Sequence, residues 1–165
     1  MPDWKMLKAT WSLRLFALTR IPLIAVLRPT LLQADRDSCV VRLPLAWLSR
    51  NHLGSLYFGA LCVGADTAGG LIVMNMIRAR RSSVAFLFKD FHATFHKRAE
   101  GATVFSCHDG PRLIALLDRA EQGGERVEDT VTVTATVPDK LGEEPVATFQ
   151  LTISMKRRDQ IPNLT

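Results

Sequence analysis

A chain of 165 residues with 47% hydrophobic and 22% charged content is the size and composition of one soluble domain with one core. Its net charge of +5 comes from scattered clusters, and no aromatic residues interleave with the basic ones on a strand face, so nucleic acid ranks last among partners. The three cysteines, Cys39, Cys62 and Cys107, are widely spaced without metal-ligand spacing. That pattern argues against a disulfide framework or a metal centre and implies reduced thiols in a cytoplasmic protein.

Residues 3 to 33 read as a helical prologue. Trp4, Leu7, Trp11, Leu15 and Leu18 share one face, and Lys5, Lys8, Ser12 and Thr19 turn away from it. Arg20 and Pro22 interrupt the run, which resumes from Ile21 to Leu27 and stops at Arg28-Pro29. The uncharged stretches are too short to span a bilayer, and no secretory cleavage pattern is present. A basic amphipathic helix either lies on a membrane surface or packs on its own domain or a partner subunit. The second is the commoner case and is the expectation here. Asp35 to Ser38 is a polar turn, and Cys39 to Leu45 is a strand with Pro44 near its end.

The central stretch is Asn51 to Gly70, continuing to Ile77. Ser55 is the expected N-cap of a long helix built from apolar and very small residues, with Asp66 its single ionisable group. Gly59, Cys62, Asp66, Gly69 or Gly70, and Val73 fall on one stripe. A helix this apolar all round is buried, and a carboxylate inside it must be hydrogen-bonded, paired or functional. Glycines at 59, 64, 69 and 70 each weaken a helix by about 1 kcal/mol against alanine, so something approaches the backbone closely. Tight packing is the reading for Gly64 and a ligand for Gly59. The basic run Arg78 to Arg81 suits either a solvated helix end or a phosphate.

Val84 to His96 is a long strand, with Phe91, Ala93 and Phe95 toward the core and Phe86, Phe88, Asp90, His92, Thr94 and His96 on the other face. Lys97 to Gly101 is a turn, and Ala102 to Cys107 is a short strand. Asp109-Gly-Pro111 caps a helix over Arg112 to Gln122, closed by Gly123-Gly124. Val127 to Val137 alternates as a strand with a threonine face, Pro138 to Gly142 turns, and Val146 to Met155 returns as its hairpin partner. The histidines at 92, 96 and 108 lack metal spacing, and no cysteine or serine sits in a nucleophile motif. This order describes an α+β fold, an antiparallel sheet able to curl round the long helix. The expected layout is an N-terminal helical extension (1–34), a main domain (35–158) and a C-terminal tail (159–165).

On these residues the chain resembles the hotdog superfamily, in which a sheet wraps a central helix. Asn51-x-x-Gly54, then Gly59 and Asp66, is similar to acyl-CoA thioesterases of the phenylacetic-acid-pathway type, whose pattern is Asn-x-x-Gly-x-x-His-Gly-Gly with an acid seven residues later. A thioesterase-like hotdog branch of unknown function carries the nearer stretch Asn-His-Leu-Gly-Ser-x-x-x-Gly-Ala. The resemblance implies an acyl-thioester hydrolase in which Asp66 is general base or nucleophile. The amides of Phe58 and Gly59 would form the oxyanion site, and Asn51 would place the thioester or water. It further implies a homodimer or dimer of dimers with the site across the interface. No cofactor is implied beyond the coenzyme A moiety of the substrate, its phosphates held near Arg81 or at Lys97 and Arg98. Tyr57-Phe58 stands where the family has His-Gly. Tyr57 would supply a hydroxyl or only pack, His52 would touch the ligand or bond to backbone, and Thr67 would meet substrate or bond to its own helix. Asp66 has other readings, a structural acid or part of a non-catalytic acyl-binding or lipid-associated hotdog. A dehydratase site lacks its histidine–acid pair.

Overall fold

The computed structural model describes residues 4–160. Five helices and six strands follow in the order α1 (Trp4–Arg20), α2 (Pro22–Val26), β1 (Thr30–Ala34), β2 (Cys39–Leu43), α3 (Phe58–Arg80), β3 (Val84–Phe95), β4 (Thr103–Cys107), α4 (Gly110–Gln122), β5 (Val127–Thr136), α5 (Pro138–Leu141) and β6 (Pro145–Arg157). The strands form one antiparallel sheet ordered β1-β2-β4-β5-β6-β3, so β1 and β3 are its edges.

The long helix α3 packs against β2, β4, β5 and β6. It is long and apolar enough to cross a membrane by length and composition, but the sheet buries it as the core helix. Alternation supplies the other half of that core. Val131, Val133 and Ala135 on β5, with Ala147, Phe149, Leu151, Ile153 and Met155 on β6, are all fully buried, while the threonines between them line the opposite face. Gly64 lets the sheet approach: a Cβ there would lie 2.4 Å from the buried ring of Phe105. Gly64→Ala is therefore expected to cost about 1–3 kcal/mol through overpacking, measurable by urea unfolding, despite alanine's better helix propensity.

Several local expectations are corrected. Residues 30–34 are a strand rather than the end of the helical prologue, because Thr30 to Ala34 pair with Cys39 to Arg42. Ser55 is not the N-cap. The helix starts at Phe58 with Tyr57 in the cap position, and the Ser55 hydroxyl is held by Asn51 instead. Asp109 stands at the N-cap of α4 without capping it, and its carboxylate accepts from the amide of Thr132 on β5 at 2.7 Å. The turn after β5 is a short helix, Pro138–Leu141, and β2 ends at Leu43. Of the 159–165 tail, only residues 159 and 160 lie among those described, in a 3-10 turn.

The faces of β3 are the largest correction. A bulge between Phe88 and Asp90 shifts the register by one, so Phe86 and Phe88 pair with Met155 and Ile153, and Phe91, Ala93 and Phe95 with Leu151, Phe149 and Ala147. All five β3 residues thus lie on the core side, which strict alternation forbids and the extra residue permits. The stripe of α1 is corrected too: Thr10, Leu13 and Ala17 are its buried residues, and the Trp–Leu stripe faces outward.

Candidate active site

Asp66 sits near the middle of α3, between the buried Ala65 and Thr67. Its side chain reaches a cavity of about 420 Å³ lined by Leu13 and Phe16 of α1, Ile21 at the α1–α2 junction, Ile24 of α2, Gly70, Leu71 and Met74 of α3, and Phe86 to Phe88 of β3. These walls are almost wholly apolar. The half-buried carboxylate has no hydrogen-bond or ion-pair partner among the described residues, and desolvation raises its pKa above the usual carboxylate value. Thr67, also on the cavity wall, donates its hydroxyl to the carbonyl of Val63 at 2.7 Å, so it is held by its own helix. The nearest atoms to a Cβ on Gly70 would be those of the Phe88 ring at 3.6 Å, ordinary contact, so glycine here keeps the cavity open rather than relieving a clash.

The loop before α3 is a separate, tightly bonded unit. The Asn51 amide oxygen accepts from the backbone of Leu53 at 2.9 Å and of Ser55 at 3.2 Å, and its nitrogen donates to the Ser55 hydroxyl at 3.0 Å. This is Asx-turn chemistry, and Gly54 completes the turn with φ of 77°. Arg98 clamps the loop from outside through a 2.8 Å bond to the carbonyl of Leu53 and pairs with Glu100. Lys97 pairs with Glu144 at 2.5 Å. His52 is exposed, as are Tyr57 and Phe58. The Tyr57 ring lies over Gly59, where a Cβ would come within 2.6 Å of it. A side chain at position 59 would therefore push that exposed ring aside. The amides of Phe58 and Gly59 have no acceptor among the described residues, the usual condition of a helix's first turn.

Within one chain these groups form two sets. Asp66, Thr67 and the cavity are one; Asn51, His52, Tyr57, Phe58 and Gly59, with Arg98 behind them, are the other. Gly59 is seven residues from Asp66, about 10 Å along the helix. Arg81 ends α3 in a left-handed conformation (φ 51°), about 22 Å along the axis from Asp66 and remote from both. Its neighbours are already engaged: Arg80 pairs with Asp118 and Glu121 of α4, and Arg78 stacks over Phe16 at 5.2 Å.

The sequence profile of a domain of unknown function, DUF4442, matches residues 9–155, nearly the whole chain. The chain belongs to the DUF4442 family. A comparison with curated proteins found no match. Among solved structures, this DUF4442 chain is similar to the protein OLEI01261, of unknown function, from Chlorobaculum tepidum (TM-score 0.79, 14% identity, 93% of this chain and 97% of that one). It is also similar to PA5026 of Pseudomonas aeruginosa, a protein of unknown function and probable thioesterase (TM-score 0.75, 21% identity, 89% and 95% covered). A third is thioesterase HI1161 of Haemophilus influenzae (TM-score 0.67, 12% identity, 92% of each). At these identities the likeness shows the fold, and that fold is the hotdog.

What can the DUF4442 site do chemically? A solitary carboxylate of raised basicity, opening on an apolar cavity, is suited to taking a proton from water or attacking an activated carbonyl beside an aliphatic group. The cysteines are unsuited to nucleophilic work. Cys39 and Cys107 face each other across β2 and β4 as buried free thiols, pushed up to about 12 and about 11 mainly by desolvation. No group of three or more potential metal ligands occurs among the described residues. Most of the cavity wall was missing from the sequence reading. Gly70, one turn after Asp66, was there to be found on the stripe. Leu13, Phe16, Ile21 and Ile24 carry no local signal, since only the packing of α1 and α2 over α3 brings them to the acid.

Proposed function

We propose that this protein hydrolyses acyl thioesters, with Asp66 as general base or nucleophile and the apolar cavity beside it receiving the acyl group. The observation that carries this reading is the unpartnered carboxylate on an apolar cavity, at the helix position where the acyl-CoA thioesterases that the sequence resembles carry their acid. A purely structural acid would be expected to have a hydrogen-bond partner. The names of hotdog neighbours such as HI1161 support the same class of substrate.

Hydrolysis also needs donors at the carbonyl oxygen, about 3 Å from it. The free amides of Phe58 and Gly59 lie about 10 Å along the same helix from Asp66, too far to act on one carbonyl with it. A second copy of the chain that brings its own 51–59 loop against Asp66 resolves this. Edge strand β3 supports such a pairing: it is 12 residues long and leaves Leu87, Phe91 and Phe95 between 39% and 50% exposed. In that arrangement Asn51 shapes the loop and thereby aims the amides, and Tyr57 and Phe58 line the entrance. The likeness of the ordered set Asn51, Gly54, Gly59 and Asp66 to acyl-CoA thioesterases favours an acyl-CoA carrier, whose phosphates would draw Arg98 beside the loop and Lys97 next to it from their pairs with Glu100 and Glu144.

The test is release of free thiol from short, medium, long and aromatic acyl-CoAs. Release with a preference for aliphatic chains is the expected result. Saturable acyl-CoA binding without thiol release from any member would sink the hydrolase and leave a binding protein.

A further inference from the structure

The outward face of α1 has no role in the site described above. Trp4, Leu7, Trp11, Leu15 and Leu18 recur at helical spacing and are between 42% and 66% exposed, while the helix packs on the domain through Thr10, Leu13 and Ala17. Scattered exposed apolar residues are normal, but five on one stripe, two of them tryptophan, form a continuous surface.

Charge says what covers it. Residues 4–34 hold five basic residues, Lys5, Lys8, Arg14, Arg20 and Arg28, and no acidic one. The remaining 16 basic residues balance the chain's 16 acidic ones, so the whole net charge of +5 belongs to this segment. Lys8 lies over the Trp4 ring at 5.5 Å, which sets a cation on one flank of the stripe, while Arg14, over Trp11 at 5.9 Å, is held back on the other side by the carbonyls of Arg28 and Pro29. An aromatic and leucine face with basic edges and no acids is complementary to a surface that is apolar within and anionic at its rim. A second copy presents the same five cations to this one, and like charges oppose that contact.

We propose that α1 docks this protein on an anionic lipid surface, its Trp–Leu stripe lying at the level of the acyl chains and its basic flanks among the headgroup phosphates. The inner side of the same helix, through Leu13 and Phe16, walls the cavity at Asp66. Docking therefore places that cavity one helix away from lipid. The docking stands apart from the hydrolase reading, since it is read without any substrate.

The experiment is co-sedimentation of the full chain with phosphatidylcholine vesicles that contain about 30 mol% phosphatidylglycerol, beside vesicles of phosphatidylcholine alone. Expected are binding to the anionic vesicles with a blue shift of tryptophan emission, at least about tenfold weaker binding without phosphatidylglycerol, and release by about 0.5 M salt. The double change Trp11→Glu with Leu15→Glu should weaken binding by about tenfold or more while leaving the circular dichroism spectrum unchanged. Lys5→Glu with Lys8→Glu, which spares the apolar stripe, should lower binding to anionic vesicles only. No sedimentation with anionic vesicles overturns the proposal, as does binding that both double variants retain in full. It is also overturned if wild type ignores vesicles and Trp11→Glu with Leu15→Glu reduces its molecular mass in solution, because the stripe is then an interface between copies.

Discussion

Asp66→Asn is expected to lower thioester hydrolysis by about 10²–10⁴-fold without loss of fold. The amide matches the carboxylate in size but neither takes a proton from water nor attacks a carbonyl. The cavity walls have nothing to replace it, since Thr67 is committed to Val63 and the remaining lining is apolar. Stability should move the other way. Burial raises the pKa of Asp66 in the folded chain, so below the usual carboxylate value it is protonated in both states and carries no penalty. As pH rises through the raised folded value, the chain must hold an unpaired charge out of water, and that stability is lost. The Asn variant escapes this, and its melting temperature at neutral pH should equal or exceed that of wild type. The wild-type rate should climb as pH rises through the same raised value, because only the ionised acid is a base. Thiol release across pH, with melting curves for both proteins, checks all three. An Asn variant with wild-type turnover would remove Asp66 from the chemistry.

Phe149→Ala should cost about 3–5 kcal/mol, the range for removing a large ring from a fully buried site. Phe149 is fully buried on β6, and its ring meets those of Phe91, Phe95 and Phe105 at centroid distances of 5.6, 6.0 and 6.4 Å. Those neighbours come from β3 and β4, so the cavity left behind adjoins three strands and cannot close by the shift of one side chain. Phe95 in turn meets Phe58 at 6.4 Å, which links this cluster to the start of α3. For a domain of this length the loss is expected to lower the melting temperature by about 6–20 °C. Denaturant unfolding of wild type and variant measures it, and a cost below about 1 kcal/mol would mean that the cluster relaxes freely.

The fold was legible to the extent that its signals were local. Val-Thr alternation placed β5, the proline and glycine signals bracketed α4, and the run of small apolar residues around Asp66 marked α3 as the helix to be buried. The family-like spacing of Asn51, Gly54, Gly59 and Asp66 pointed to a hotdog plan before any contact was known. The first three follow from a repeat or a turn preference within about 20 neighbouring residues, and the last from likeness to a known family pattern.

What only the tertiary structure decided depends on partners distant in sequence. The β3 bulge exists because β6 supplies a register that alternation within β3 cannot reveal, and it turns Phe86, Phe88, Phe91, Ala93 and Phe95 toward one side. The short run 30–34 becomes a strand only because β2 offers its edge. Ser55 looked like a cap, yet Asn51 holds its hydroxyl. Which face of α1 is buried was equally hidden, since periodicity picks out the Trp–Leu stripe and the domain instead seats the helix through Thr10, Leu13 and Ala17. Hydrophobic burial has no direction of its own. It is the shape of the domain beneath α1 that seats Leu13 and Phe16 beside Asp66 and turns Trp4, Trp11 and Leu15 toward solvent.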